Sequence, residues 1–415
     1  MRTHVKIFFL MAVISLVAGC SKTDEFFEDT QVELKKAKMK VMPSTAIDVL
    51  VKAEEDWHNI NDALQSAGSG DVVQLGEGLF YLHKSIIRWD FNGTFRGSGM
   101  GNTIIRTAPG MIFDISGCPP VNWSFEDNGG AFMLCFAHDY FENERTVSVS
   151  DLSIIVDEPT PVRPKQDKEI NSIHAIMVMN VDLDNERDKP VNLNVSYKNL
   201  SITGEKDPKY LYDGYSLFSG LSAYGNSNGT FEVKNVSVEN ASGCIKPHGF
   251  MGEDARVIVK NSHLSSCVFG IYSFFDHSWI IQNNRIENSK SAVVLLGRGP
   301  SPQLLWEGPD GNSFIVNNSI RFGQLGLGVQ NVSNVQVKDN VFEGSGQFGI
   351  GSVNGENWII KDNNLCGVVL GKPFYCTIFL SNLKNSEIKN NANQVIGGPG
   401  ATDPSIIIGE GRECN

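Results

Sequence analysis

Beyond its first twenty residues the chain has no uninterrupted apolar run long enough to cross a bilayer, so no membrane-spanning helix is read from it. Cys-x-x-Cys pairs and paired histidine spacings are also missing, and with them any zinc site. Positive charge is scarce: 35 Lys and Arg face 47 Asp and Glu. A surface that acidic excludes nucleic acid as a partner. Helical periodicity is confined to Trp57, Ile60, Ala63, Leu64 and Ala67, and Gly68-Ser69-Gly70 ends it.

What is there begins with Arg2 and Lys6 followed by the apolar run Ile7 to Val17, the layout of an export signal. The run closes on Leu16-Val17-Ala18-Gly19-Cys20, which resembles the bacterial lipoprotein signal. That resemblance implies removal of residues 1–19, lipidation of Cys20 and, with Ser21 following, sorting to the outer membrane. Removing 1–19 takes two positive charges, leaving 33 against 47 and a net charge of −14. The mature protein is expected to touch the membrane through its lipid alone and to act as a monomer. Residues 20–55, charged and weakly patterned, read as a tether. Residues 56–110 read as an N-terminal cap with first coils, and 111–415 as the body. Seven cysteines besides Cys20 leave at least one unpaired in an oxidising compartment. Cys366 and Cys376 are placed to close a loop, while Cys244 and Cys267 read equally well as small core residues.

The body is organised by an internal repeat. Its units are Val149-Ser150-Asp151, Tyr197-Lys198-Asn199, Val233-Lys234-Asn235, Val259-Lys260-Asn261, Ile281-Gln282-Asn283, Val316-Asn317-Asn318, Val337-Lys338-Asp339, Ile360-Lys361-Asp362 and Ile388-Lys389-Asn390. Successive last residues stand 48, 36, 26, 22, 35, 21, 23 and 28 apart by subtraction. A sharp bend between parallel strands leaves backbone groups unpaired; Asn tolerates the left-handed conformation there, and its amide can bond the equivalent Asn one coil away. The fold class read from this pattern is all-β, a parallel β-helix. Together with the helix at 57–67, Asp71-Val72-Val73-Gln74-Leu75, Phe91-Asn92-Gly93-Thr94-Phe95, Gly97-Ser98-Gly99 and Thr103-Ile104-Ile105, it resembles the pectin-lyase-like superfamily of right-handed parallel β-helices. The resemblance implies a helix plugging one end and a long sheet whose solvent face is a substrate groove.

After each corner comes a strand such as Phe269-Gly270-Ile271-Tyr272-Ser273, Ser291-Ala292-Val293-Val294-Leu295, Gly326-Leu327-Gly328-Val329 or Phe348-Gly349-Ile350-Gly351-Ser352. The extra residues of longer coils, at about 157–172, 182–192, 204–219, 297–313 and 366–376, all flank that strand, and insertions confined to one edge of a solenoid build the walls of a binding face. Lys246-Pro247-His248 puts polar residues in a slot that is apolar elsewhere; function is one reason, a solvent edge the other. Pro247 leaves open which of the two side chains faces the groove. Tyr272 and Arg298 complete the candidate catalytic set. His174, Tyr215, Tyr224, Asp276, His277, Trp306 and Gln330 are candidate substrate-binding residues, the aromatics because flat C–H faces of sugars stack on them. Asp276-His277 has a look of an Asp-His pair in some pectate lyases, with a solvated corner as the alternative. Asp182, Asp184, Glu186 and Asp188 could hold calcium through oxygen ligands, or form a solvated turn.

Elimination at a uronate needs a group to neutralise the carboxylate, a base for the C5 proton and an acid for the leaving oxygen. Arg298 or calcium, Lys246 or His248, and Tyr272 fit those three roles. The expected function is therefore polysaccharide processing by a lyase. The Arg-x-Pro-x-x-Arg pattern of typical pectate lyases is missing. A glycoside hydrolase would use two carboxylates; polygalacturonase-like helices carry Asp-Asp and Gly-His-Gly, whereas here only Pro247-His248-Gly249 comes near, with Asp213, Glu253, Asp254, Asp276, Glu307 and Asp310 scattered. A surface glycan-binding helix without catalysis is the third reading.

Overall fold

The computed structural model describes residues 46–112, 132–139, 143–157, 162–165, 168–170, 173–180, 191–207, 210, 213–250, 254–274, 278–297, 312–371 and 375–414. Cys20, the export signal and the acidic run 182–188 lie outside them. Among the described residues, 26 strands join one sheet in which every pairing is parallel. One antiparallel pair, Val162–Lys165 with Lys168–Ile170, stands apart.

The strand Thr230–Phe250 shows how a coil is made. It runs straight to Asn235 (φ 55°), bends, runs to Asn240 (φ 58°), bends again and continues along a third face. The next coil bends at Asn261 and Ser266, and the one after at Asn283 and Asn288, all with positive φ. Asn is favoured because its short amide stabilises a conformation that costs most L-residues about 1–2 kcal/mol. Eight of the nine residues predicted to form the ladder adopt it, with φ between 51° and 60°. The sixth is Asn317 rather than Asn318. Two consecutive asparagines made the register ambiguous, and the steps around it become 34 and 22.

Asn318 belongs instead to a second ladder inside the solenoid. Asn284, Asn318, Asn340, Asn363 and Asn391 are all buried. Each Nδ2 donates to the next Oδ1: Asn284 to Asn318 at 3.0 Å, Asn318 to Asn340 at 2.9 Å, Asn340 to Asn363 at 3.0 Å and Asn363 to Asn391 at 2.9 Å. The same amides bond backbone carbonyls, Asn340 reaching Ile315 O at 2.8 Å. Between the ladders the core is a set of columns. Val149, Tyr197, Val233, Val259, Ile281, Ile315, Val337, Ile360 and Ile388 lie in register, none exposing measurable surface. Burying each such side chain contributes about 1.5–3 kcal/mol before entropy is counted.

The α-helix Ala46–Ser66 extends eleven residues before Trp57, and Ile60 and Leu64 enter the core. Its side chains pair backbone groups at the open edge of the first coil: Tyr81 N donates to Asp56 at 2.9 Å, and Gln65 Nε2 donates to Ile87 O at 2.8 Å. An uncovered edge would invite pairing with another chain.

Two cysteine expectations are corrected. Cys366 bonds Cys414, not Cys376, because the last residues fold back to bring the two Cα atoms within 5.7 Å. Cys244 and Cys267 form a disulfide across adjacent coils, with Cα atoms 6.0 Å apart, rather than serving as core residues alone. Cys135 and Cys376 are buried thiols.

Replacing Asn340 with Ala should lower stability by about 3 kcal/mol, since it strands buried partners on both neighbouring coils. Asn317→Gly at the outer corner should cost under about 1 kcal/mol because Gly adopts positive φ freely. Urea unfolding of both variants checks this, and equal losses would contradict the division of labour between the ladders.

Candidate active site

The third face of each coil carries the strands expected to form the groove. Their inner column, Leu134, Ile176, Leu221, Ile245, Ile271, Val293, Leu327, Ile350 and Ile378, is fully buried. Alternation holds after this column and points the next residues outward, whereas just before it Ala175 with Ile176, and Cys244 with Ile245, both enter the core and leave His174 and Gly243 on the outer side. Ala223 pairs with Pro247 and Tyr224 with His248 without a register shift, so Pro247 makes no bulge. Lys246 and His248 therefore share the outer face.

Adjacent strands lie about 4.8 Å apart, so this face stacks residues far apart in sequence. Ser222 pairs with Lys246, and Tyr224 with His248, which pairs with Phe274. His174 pairs with Ser219. On the N-terminal side the face is apolar: Phe132, Cys135, Ala137, Met177 and Met179 form one buried cluster against which Tyr224 packs.

Rings tie the polar residues together. The His174 and Tyr224 centroids are 5.9 Å apart, Tyr224 and His248 5.0 Å, His248 and Tyr272 6.2 Å, and His248 and Phe274 4.9 Å. Phe269 stacks on Tyr272 at 4.5 Å. His174 Nδ1 meets Ser219 Oγ at 2.5 Å and Ser222 Oγ at 3.0 Å, which fixes the ring. Among the described residues its Nε2 has no hydrogen-bond partner, nor has His248 Nδ1.

Lys246 is 5 % exposed. Its stem lies across Gly243, where a Cβ would sit 1.9 Å from Lys246 Cε. Any other residue at 243 would displace the lysine. Nζ stands 3.5 Å from the centroid of Phe218, and among the described residues it has no hydrogen-bond or ion-pair partner. A cation on an aromatic face gains some electrostatic stabilisation, but far less than the hydration it loses.

The electrostatics follow from that burial. Desolvation pulls the Lys246 amine down to about 7, against a smaller opposing pull from Asp213. Burial, then the lysine's charge, lowers His174 to about 3. His248 is held well below its usual value by burial, then Lys246 and His174. Burial raises the Tyr224 and Tyr272 phenols, keeping both protonated. The face thus gathers one amine poised to titrate near neutrality, two neutral imidazoles and two phenols that can only donate protons.

Five predicted residues, His174, Tyr224, Lys246, His248 and Tyr272, come together here. Gln330 lies in the same row as His248 but three coils on, about 14 Å away. Tyr215 is buried outside the strand, its ring centroid 5.3 Å from Lys206 Nζ. Arg298, Asp276, His277 and Trp306 lie outside the described residues. Sequence reasoning missed Phe218, Ser219, Ser222, Gly243 and Phe274; knowing the coil register would have placed Ser222 beside Lys246. Among the described residues no group of three His, Cys, Asp or Glu side chains could hold a metal, and the calcium expectation rests on residues outside them.

These bases make stability depend on pH. The unfolded chain keeps a proton on Lys246 up to pH about 10.5, the folded chain only to about 7. Stability from this group is therefore full above 10.5 and is lost as pH falls to 7. His174 behaves alike between about 6.5 and 3. Denaturant midpoints should rise from pH 7 to 10 in the parent and much less in Lys246→Met; parallel curves would refute the assignment.

Residues 215–365 match the family model described as right handed beta helix region. No curated protein matches the sequence. Solved structures similar to the chain include the A-module of an Azotobacter vinelandii mannuronan C-5 epimerase, at 12% identity over 89% of this chain and 95% of that one, with a TM-score of 0.43. A mannuronic acid specific polysaccharide family 6 lyase from human gut microbiota is 10% identical over 89% and 90%, with a TM-score of 0.41. A surface adhesin of Streptococcus pneumoniae is 13% identical over 87% and 86%, with a TM-score of 0.42. With its parallel coils stacked in register and its central residues matching that family model, the chain is a right-handed parallel β-helix.

Proposed function

We propose that the protein processes polysaccharide, and that it cleaves a uronic-acid-containing chain by β-elimination. The observation that carries this reading is the buried Lys246 amine without an acceptor, set among two imidazoles with bare nitrogens and two protonated phenols. A sugar carboxylate supplies the acceptor that Lys246 lacks, and its neutralisation acidifies the neighbouring C5–H. The His248 imidazole, kept neutral, takes that proton as base. Tyr272 donates to the departing O4, since its raised phenol holds a proton to give. The half-exposed Phe269 and Phe274 beside it offer flat faces to sugar rings. Hydrolysis is less well served: among the described strand residues on this face none is Asp or Glu, and a hydrolase needs two.

Incubation with a panel of acidic polysaccharides should yield unsaturated product absorbing in the ultraviolet. Lys246→Met should reduce kcat/KM at least 100-fold, an effect of about 2.7 kcal/mol in transition-state stabilisation. New reducing ends without that absorbance would indicate hydrolysis instead, and neither signal would favour a binding role.

We propose further that the chain is exported and lipid-anchored through Cys20, the cysteine that follows its apolar leader. Metabolic labelling with a fatty acid should mark the parent and not Cys20→Ala; equal labelling would remove the anchor.

A further inference from the structure

We infer that the outer-face site takes up one proton as an anionic sugar enters it, with Lys246 as the acceptor. The inference rests on the proposed uronate-binding reading and extends it to the protonation state of the empty site. Lys246 is laid over Gly243 and aimed at the face of Phe218, where a neutral amine packs well and an ammonium has nothing to donate to. The groups facing it are Ser222 from the neighbouring coil with Tyr224 beside it, His174 from the coil before that, His248 on its own strand, and Tyr272 from the following coil. Cys135 lies three coils back in the same row, beyond Ser222 and Met177. None of these carries negative charge at neutral pH. Asp213 alone does, and it sits exposed on the turn before the strand Leu217–Ser227.

The empty site therefore favours the free amine from about pH 7 upward. A carboxylate entering beside Nζ reverses the balance, because opposite charge within a few ångströms favours the charged form. The proton goes to the amine rather than to an imidazole, since His174 titrates near 3 and His248 also lies well below its usual value. Both histidines then stay neutral in the complex, which leaves the base of the proposed reaction ready. By linkage, affinity should fall tenfold per pH unit above about 7 and level off below it.

Calorimetry on the full chain tests this, in the Tyr272→Phe background so that binding is read without turnover. The probes are trisaccharides of galacturonate, glucuronate and mannuronate, with their carboxyl-reduced counterparts as controls. Titrations in phosphate and in Tris at pH 8 should differ in heat by close to the full difference between the two buffers' ionisation enthalpies, as uptake of about one proton requires, and by little at pH 5.5. Lys246→Arg, which is always charged, should bind with no buffer dependence, and Lys246→Met should lose the uptake along with most of the affinity. Uronate binding whose heat is the same in both buffers at pH 8 would overturn the inference while leaving the proposed activity standing. Failure of every acidic probe to bind would remove both.

Discussion

Stacked parallel coils leave no freedom at their corners: each bend must match the one below it, or the backbone groups between them lose their partners. Everything else in the molecule depends on meeting that demand. Asparagine meets it in two ways. At outer corners it accepts a left-handed backbone, as at Asn199, Asn235 and Asn283. Just inside the corner its amide replaces missing backbone partners, as at Asn318 and Asn340. Once corners are matched, columns of Val, Ile and Leu fall into register and fill the interior without further instruction.

The same register builds the candidate site. Residues 174, 224, 246, 248 and 272 belong to four coils, yet the register and spacing of the coils place them on one patch. Glycine at 243 lets the lysine lie flat, and the apolar cluster of Phe132, Met177 and Met179 shields its flank. A low-dielectric surrounding then converts an ordinary amine into one that titrates near neutrality. The chemistry attributed to the patch is a property of burial more than of any single residue type.

The ladder was legible because a corner admits so few residue types; Asn and Asp recur there while strand residues vary. Where two asparagines stood side by side, at 317 and 318, sequence alone did not tell the corner from the buried amide. Lys246 and His248 were legible as polar intrusions into an apolar strand, though their common orientation needed the register of Ala223 with Pro247. Ser222 and Gly243 carry no signal of their own, since their roles lie in what a neighbouring coil places beside them. The Cys366–Cys414 bond was hidden for the same reason: a 48-residue separation says nothing about distance until the chain has turned back.

The two asparagine rows run in opposite senses. Outer amides donate toward the preceding coil, as Asn317 does to Asn283 at 2.9 Å, while inner amides donate toward the following one. An oriented row needs a terminus that accepts the last donor, and Gln394 supplies it, receiving Asn391 Nδ2 at 2.8 Å and passing its own amide on to Gly409 O at 2.9 Å. The solenoid thus has a grammar for its own length. A coil duplicated between 318 and 391 would continue the sentence, whereas one appended after 391 would meet a full stop.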